Sequence, residues 1–411
     1  MPGPGMDIIG KEEKEELMEI IESGHLFRYG DLSDPNFKAK TWNLEQDFAK
    51  KFGVKHALAV SSGSTALLTT LWALGIGPGD EVIVPGYTFI ASITAIIFAR
   101  AIPVLAEVDK TLTLDPEDVI KKITPRTKAI MLVHMLGNPG HIDEFVRIAK
   151  EHDIILIEDC AQALGASFKG KYAGTFGKMG AFSLNVYKTI TAGDGGMVIT
   201  DDEELYKRAF AVHDQGHFPL RQGVEQGKRT VLGFNFRMTE LTAAVASAQL
   251  KKLDYIKSTL LKNKKKLKSI LSEIKEIEFR EILDENGEVG TLLTFFMPTK
   301  ESAEKLANKI GCTTIAKSGW HVYNNMEHLL GQMTVTSEQC PFTCPYYKGP
   351  EVKYYKGMLP QTDDLLQRAI NISIGVSDKG LGSAYGIKIT SSEEDIERVG
   401  RNLKNAIKEC L

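Results

Sequence analysis

The sequence predicts an α/β protein, with a mostly parallel sheet in a large N-terminal domain and a smaller α/β domain after it. Three observations predict this. Between Ala57 and Cys160, short apolar runs alternate with helical patterns, the signature of strands covered on both faces by helices. A chain of 411 residues, 43% of them hydrophobic, can fill two cores of ordinary size. From Lys251 the composition shifts to a lysine-rich amphipathic stretch, which places the division there: residues 1–250 form the large domain and 251–411 the small one, with the segment of about residues 1–40 packing on the small domain.

Taken in order, residues 11–23 carry Leu17, Ile20 and Ile21 at helical spacing, and Gly24 closes that helix. The irregular run LFRYGDLSDP leads to a second helix from Trp42 to Phe52. A strand from Ala57 to Val60 then feeds the polar turn Ser61–Thr65 and a helix built on Leu67, Leu68, Leu71 and Leu74. Ser, Gly and Thr at a helix start leave free N–H groups that suit an anion, and they equally describe a plain N-cap. Next come the strand EVIVPG, the helix TFIASITAIIFARA, the strand IPVLAEVD and the helix PEDVIKKI. The strand KAIMLVHML, the helix HIDEFVRIAKEH and the strand IILIEDC complete the alternation. After MVIT and a helix from Glu203 to Phe210, residues 211–230 show no periodicity and read as a mobile loop. An Ala-rich helix precedes Leu250, and a separate amphipathic helix with Leu253, Ile256, Leu260, Leu267, Ile270 and Ile274 on one side follows it. Strands near Thr291–Phe296 and Ile370–Ile374, with helices near Ala303–Ile310 and Glu393–Lys408, make the small domain.

A net charge of −3 points to neither nucleic acid nor an anionic membrane as partner. No apolar run reaches spanning length and the N-terminus lacks signal-peptide order, so a cytoplasmic protein is expected. Five cysteines form a sparse, odd set of reduced thiols. Cys340 and Cys344 beside His321 and His328 read as structural residues, and no metal site is expected.

Ligands of such sheets collect at the carboxyl ends of strands. There the chain places Ser61–Thr65, Pro85–Phe89, His134 and Asp159. Asp159 ends an apolar strand, where a carboxylate needs a cationic partner, either a neighbouring Arg or Lys or a charged ligand nitrogen; Gln162 is within one helical turn of it. In GAFSLNVYKTITAGDGG, Lys188 follows a strand-like run and precedes Gly193, Gly195 and Gly196. A lysine desolvated there becomes a neutral amine able to condense with a carbonyl. The stretch alone equally describes a surface lysine, so its neighbours decide.

With these residues in place, the chain resembles the DegT/DnrJ/EryC1/StrS aminotransferases, pyridoxal 5'-phosphate (PLP) enzymes of fold type I. The resemblance runs from about Gly24 to Leu250 through SSGSTALL, GDEVIVPGYTFIAS, EDCAQALGA, GAFSLNVYKTITAGDGGM and GFNFRMTELTAA. It implies that Lys188 carries PLP and moves the proton, and that Asp159 faces the ring nitrogen. It also implies that Gln162 bonds the phenolic oxygen and that Phe89 covers the ring. Gly63, Ser64 and Ser183 would hold the phosphate, with Asn235 reaching in from the other subunit of a homodimer with shared sites. Asp194 stands where relatives usually have Glu, and SLNVYK departs from their aromatic and proline run. A PLP sugar dehydratase would replace the lysine by histidine, and a non-catalytic regulator would lose Lys188 or Asp159. Neither change is present.

The implied reaction moves an amino group from glutamate or glutamine to a sugar carbonyl. LFRYG, VHMLGNPGHID, HVYNNMEHL and CPFTCPYY are similar to the branch that aminates an oxidised 3-deoxy-octulosonate, with a nucleotide-linked keto sugar as the alternative. A sugar acid calls for cations and hydrogen-bond donors. The candidates expected around Lys188 are Arg28, Tyr29, His213, His217, His321 and Tyr323, each of which reads equally as a loop residue at a dimer interface.

Overall fold

The computed structural model describes residues 3–219 and 229–411. Its first elements are helices α1 (Pro4–Asp7), α2 (Lys11–Ser23) and α3 (Lys40–Phe52). The alternating part runs β1 (His56–Val60), α4 (Gly63–Ala73), β2 (Glu81–Pro85), α5 (Ile90–Phe98), β3 (Ile102–Ala106), α6 (Pro116–Lys122), β4 (Thr127–Val133), α7 (Ile142–Glu151) and β5 (Ile155–Asp159). A small ribbon, β6 (Ser167–Phe168) and β7 (Lys171–Tyr172), precedes β8 (Met179–Ser183), β9 (Gly196–Thr200), α8 (Glu203–His213) and α9 (Glu240–Leu271). The rest is β10 (Glu278–Phe279), β11 (Leu292–Phe296), α10 (Lys300–Lys309), α11 (Glu327–Leu330), α12 (Pro360–Arg368), β12 (Ala369–Ser373) and α13 (Glu393–Lys408).

The main sheet has seven strands in the order β1-β9-β8-β5-β4-β2-β3. It is parallel throughout except for β9, which is antiparallel to both β1 and β8. Successive strand residues point to opposite faces, so Val82 and Val84 join one core and Ile83 another. On the first face lie α4, α5 and α8, through residues such as Leu67, Ile93 and Phe210. The other face is covered by α3 and α9, through Phe48 and Ala246, and by α7, through Phe145. Phe48, Phe52 and Phe182 pack ring against ring with centroids 4.3–5.3 Å apart, and burying each stabilises the fold by about 1.5–3 kcal/mol. A second, antiparallel sheet, β10-β11-β12, packs on the far half of α9.

The two helices expected on either side of residue 250 are one helix of 32 residues, capped by the Thr239 side chain accepting from the Thr242 N–H. Neither Gly nor Pro interrupts the Ala-rich and Leu-rich runs, so the helix continues, about 48 Å long, from the main sheet to the small one. The division expected at residue 250 therefore falls inside it. α2 docks at that midpoint: Glu13 pairs with Lys252 and Glu16 with Lys251. α8 continues to His213, three residues beyond its expected end; of the loop expected at 211–230, residues 220–228 lie outside the described residues. Among the described residues, no helix is long and apolar enough to cross a membrane.

Candidate active site

The carboxyl ends of β1, β5 and β8 open on a cavity of about 420 Å³. The turn after β8 forms one wall. It is knitted by Val186 N–H to Gly193 O (3.1 Å), Ala192 N–H to Leu184 O (2.9 Å) and the Thr191 hydroxyl to Leu184 O (3.0 Å). Gly193 closes it at φ 86°, where a side chain is strained. Lys188 is held in this turn by its N–H to Asn185 O (2.9 Å). The residue as a whole is half-buried, but its ammonium end lies inside the cavity, 5.9 Å from the centroid of the Phe89 ring. Burial pushes that ammonium below the usual lysine range, against the pull of Asp159 and Asp378.

Asp159 ends β5 with its carboxylate on the cavity. The Ser92 hydroxyl donates to Oδ2 (2.7 Å) and the Ala161 N–H to Oδ1 (3.0 Å). Thr88, one helical turn before Ser92, orients the Ser92 hydroxyl at 2.8 Å. Burial nevertheless pushes Asp159 above the usual carboxylate range, opposed by these donors, Lys188 and His134.

Beneath it sits a buried anchor. Glu158 accepts from His134 Nε2 (3.0 Å) and from the N–H groups of Gly174 (2.7 Å), Phe176 (2.6 Å) and Gly177 (2.7 Å). Because His134 Nδ1 accepts from the Gly140 N–H (3.1 Å), its proton is on Nε2. Among the described residues, His134, Glu158 and Cys160 are the one group with metal-like spacing, within 4.8 Å. With both carboxylate oxygens engaged by N–H donors, the group is structural.

The third wall is the start of α4. Ser62 and Thr65 form a reciprocal cap, which leaves the Gly63 and Ser64 N–H groups outside its bonds and on the cavity. A Cβ on Gly63 would lie 2.6 Å from Ser183 Cβ, so only glycine lets this helix start meet Ser183. Phe89, Trp320 and His321 close the mouth, with Phe89 and His321 ring centroids 5.3 Å apart. Gln162 also lines the cavity, its Oε1 accepting from the Leu136 N–H at 3.2 Å. His321 is tied to Ser318 Oγ at 2.9 Å and is pushed down to about 3 by burial and by the Lys188 charge, so it is neutral.

The structure thus brings together Lys188, Asp159, Gly63, Ser64, Phe89, Gln162, Ser183 and His321. Five expected substrate residues are elsewhere. Arg28 is buried, donating to Glu45 (2.9 Å), the Ala59 carbonyl (3.2 Å) and His213 Nε2 (2.9 Å). His213 Nδ1 in turn donates to the Phe210 carbonyl at 2.6 Å. The Tyr29 hydroxyl donates to Asp214, and buried His217 lies 3.6 Å from that same carboxylate. Tyr323 is buried between Asp363 and the Leu359 N–H, both at 3.0 Å. These five side chains supply structural ion pairs and hydrogen bonds and do not line the chain's own cavity.

Asn235 is exposed outside the chain's own cavity, in a bridge with Asp214. The cations expected for a sugar acid are not supplied by the chain's own cavity lining. Among the described residues lining the cavity, Lys188 is the one Lys or Arg, acted on by Asp159 and Asp378, with Asp194 elsewhere on the lining. Ser92, Trp320 and Asp378 were not anticipated. Ser92 was findable from its i, i+4 spacing to Thr88, whereas nothing in the sequence relates Asp378 to Lys188.

The sequence pattern of the DegT/DnrJ/EryC1/StrS aminotransferase family matches residues 7–377. GDP-perosamine synthase of Escherichia coli O157:H7 is 42% identical over 244 residues, which cover 59% of this chain and 64% of that protein. The L-glutamine:2-deoxy-scyllo-inosose aminotransferase of Streptomyces kanamyceticus is 39% identical over 248 residues, 56% of this chain and 57% of that protein. The chain thus spans less than two thirds of the length of these curated relatives. The aminotransferase from Psychrobacter cryohalolentis shares the fold, with a TM-score of 0.80 at 24% identity over 100% of this chain and 99% of that one. With the family pattern running through most of its length, this chain belongs to the DegT/DnrJ/EryC1/StrS aminotransferase family.

Proposed function

We propose that this chain is a PLP-dependent aminotransferase that moves an amino group from glutamate or glutamine to a carbonyl carbon of a sugar. The observation that carries the reading is the meeting, in one cavity, of a desolvated lysine, a buried strand-end carboxylate and a helix start with free N–H groups. These residues fit the cofactor. Gly63, Ser64 and Ser183 offer donors for its phosphate, Asp159 a carboxylate whose burial calls for a cation such as the ring nitrogen, and Phe89 a ring face. Gln162 would meet the phenolic oxygen. PLP, when bound, supplies the electron sink that makes amino transfer possible.

The chain's own residues do the rest. Desolvation keeps Lys188 Nζ able to give up and take back a proton, and Asp159 holds the opposing charge. Ser92 and the Ala161 N–H fix where that carboxylate points. Phe89, Trp320 and His321 narrow the mouth and exclude water. Asn235, with exposed Phe234 and Leu232 beside it, supports a homodimer in which each subunit completes the other's site.

The names of the two relatives support an acceptor of the sugar or sugar-like class, one with L-glutamine as donor. Within that class we take the acceptor to be an oxidised 3-deoxy-octulosonate, on the four sequence runs named above. The likeness to GDP-perosamine synthase favours a nucleotide-linked keto sugar as second reading.

The test is borohydride treatment of the PLP-loaded protein, expected to fix the cofactor on a peptide containing Lys188; a label on another lysine sinks the proposal. Conversion with glutamate or glutamine and discharge by a panel of carbonyl sugars, followed by the cofactor's absorbance, identifies the acceptor. Discharge by nucleotide-linked sugars alone removes the octulosonate reading.

A further inference from the structure

The lysine turn is braced from a part of the chain far from it in sequence. Gly3, Pro4 and Gly5 are buried. Gly3 sits in ordinary extended backbone at φ −136°, so glycine is needed there for space, not for conformation. A Cβ on Gly3 would lie 2.8 Å from Val186 O, Tyr187 C and Lys188 O, all backbone atoms that no rotamer change can move. A Cβ on Gly5 would lie 3.0 Å from Ile190 Cα and Thr191 N, and 2.6 Å from Gln249 Oε1.

Pro4, between them, begins α1 with its φ fixed by its ring, and its Cβ lies 3.3 Å from the place of a Cβ on Gly375, just after β12. The segment is therefore wedged between the lysine turn, α9 and the end of the small sheet. Gln249 of α9 ties it down: its Nε2 donates to Gly5 O (3.3 Å) and Glu13 Oε1 (2.8 Å), while its Oε1 accepts from the Thr191 N–H (3.3 Å). Lys252 adds a bond to Ile8 O at 3.1 Å.

We infer that the segment Gly3–Gly5, clamped by Gln249, is a positioning element for Lys188: it packs against the backbone of residues 186–191 and fixes where the lysine side chain emerges into the cavity. The inference rests on the reading of Lys188 as the reactive lysine. A displacement of this turn by about 1 Å costs on the order of a hundredfold in a reaction that depends on alignment.

Two variants test it, Gly3→Ala, which must push the turn, and Gln249→Ala, which unties it without adding bulk. Gly77→Ala is the control, since a Cβ there meets nothing closer than 3.9 Å. Hydrogen exchange of residues 184–193 in the protein without PLP should rise by about tenfold in both variants and stay unchanged in the control. The pH midpoint for labelling Lys188 with an amine reagent should shift in the same two variants.

Unchanged exchange in both overturns the clamp. Faster exchange with an unmoved midpoint overturns the positioning role and leaves an ordinary structural one. If Gly3→Ala does not fold, Gln249→Ala decides by the same two readings. Because both are made without PLP, they stand apart from the borohydride test; if PLP labels another lysine, the proposed function fails and the clamp is still judged on exchange and midpoint.

Discussion

Glu158→Gln tests whether the site is built on the buried anchor beneath Asp159. One Glu158 oxygen accepts from His134 Nε2 and the Gly174 N–H, and the other from the N–H groups of Phe176 and Gly177. An amide must turn its NH₂ toward one of these pairs, so two charge-assisted bonds of about 1.5–3 kcal/mol each become clashes of donor with donor. The expected loss is roughly 3–6 kcal/mol, beyond the common range for point changes.

The loss should also depend on pH. Burial acts against ionisation of Glu158, but His134 and the Gly174 and Gly177 N–H groups outweigh it and hold the carboxyl below the usual glutamate range. A depressed carboxylate contributes stability above its unfolded value of about 4.3 and loses it as pH falls through the folded value, so wild type and variant should converge in acid. Urea unfolding at about pH 7 and in steps from about pH 4 downward, through the depressed value, measures both. A loss under about 1 kcal/mol at neutral pH, or one that does not shrink in acid, refutes the anchor.

Three other outcomes are expected. Arg28→Ala breaks a buried ion pair with Glu45, so it should cost about 3–5 kcal/mol in denaturant unfolding while leaving the acceptor KM unchanged; a raised KM with full stability would return Arg28 to the substrate. His321, pushed down to about 3, stays neutral in the folded protein while the unfolded chain protonates near about 6.5. His321→Gln should therefore reduce acid destabilisation below about pH 6.5 without removing a limb from the pH–rate profile at about pH 5–8. Asp159, raised by burial, contributes stability only below its unfolded value of about 3.9 and loses it as pH rises. Unloaded Asp159→Asn should then melt no lower than wild type at neutral pH, yet lose the rise in Tm that PLP confers on wild type.

How much of this was legible depended on whether a residue's partner is local. The helix at 11–23 was readable end to end because its apolar spacing and Gly24, at φ 73°, are both local signals. Asp159 was readable because a carboxylate ending an apolar strand is conspicuous wherever its partner lies. The direction of β9 was not, since its reversal depends on a turn that returns it between β8 and β1. Arg28 was misplaced for the same reason: its partners, Glu45 and His213, are 17 and 185 residues away, so a buried ion pair looked like a polar loop facing a ligand. The clamp at Gly3 was hidden because Gly and Pro together normally mark an exposed turn and the backbone it packs on lies more than 180 residues away.

The charge of the cavity constrains which end of a sugar acid reacts. Asp159 and Asp378 act on Lys188 and Asp194 lines the same cavity, and Asp378 is held in place by its Oδ1 accepting from the Gly380 N–H at 2.7 Å. A carboxylate brought within about 5 Å of one such group at an effective dielectric of about 20 is opposed by about 3 kcal/mol, roughly a hundredfold. An amino-acid donor offsets this on entry with the ammonium beside its α-carboxylate, and the 2-oxo acid it leaves behind is expelled by the same repulsion. A sugar acid whose carbonyl adjoins its carboxylate has no such companion charge, whereas one with the carbonyl at the opposite end presents only hydroxyls to Asp378. The expected outcome is that a terminal aldehyde far from the carboxylate discharges the aminated enzyme about a hundredfold faster than the isomeric 2-keto acid, and that Asp378→Asn narrows the ratio. Equal rates for the two isomers would mean that these carboxylates do not face the acceptor.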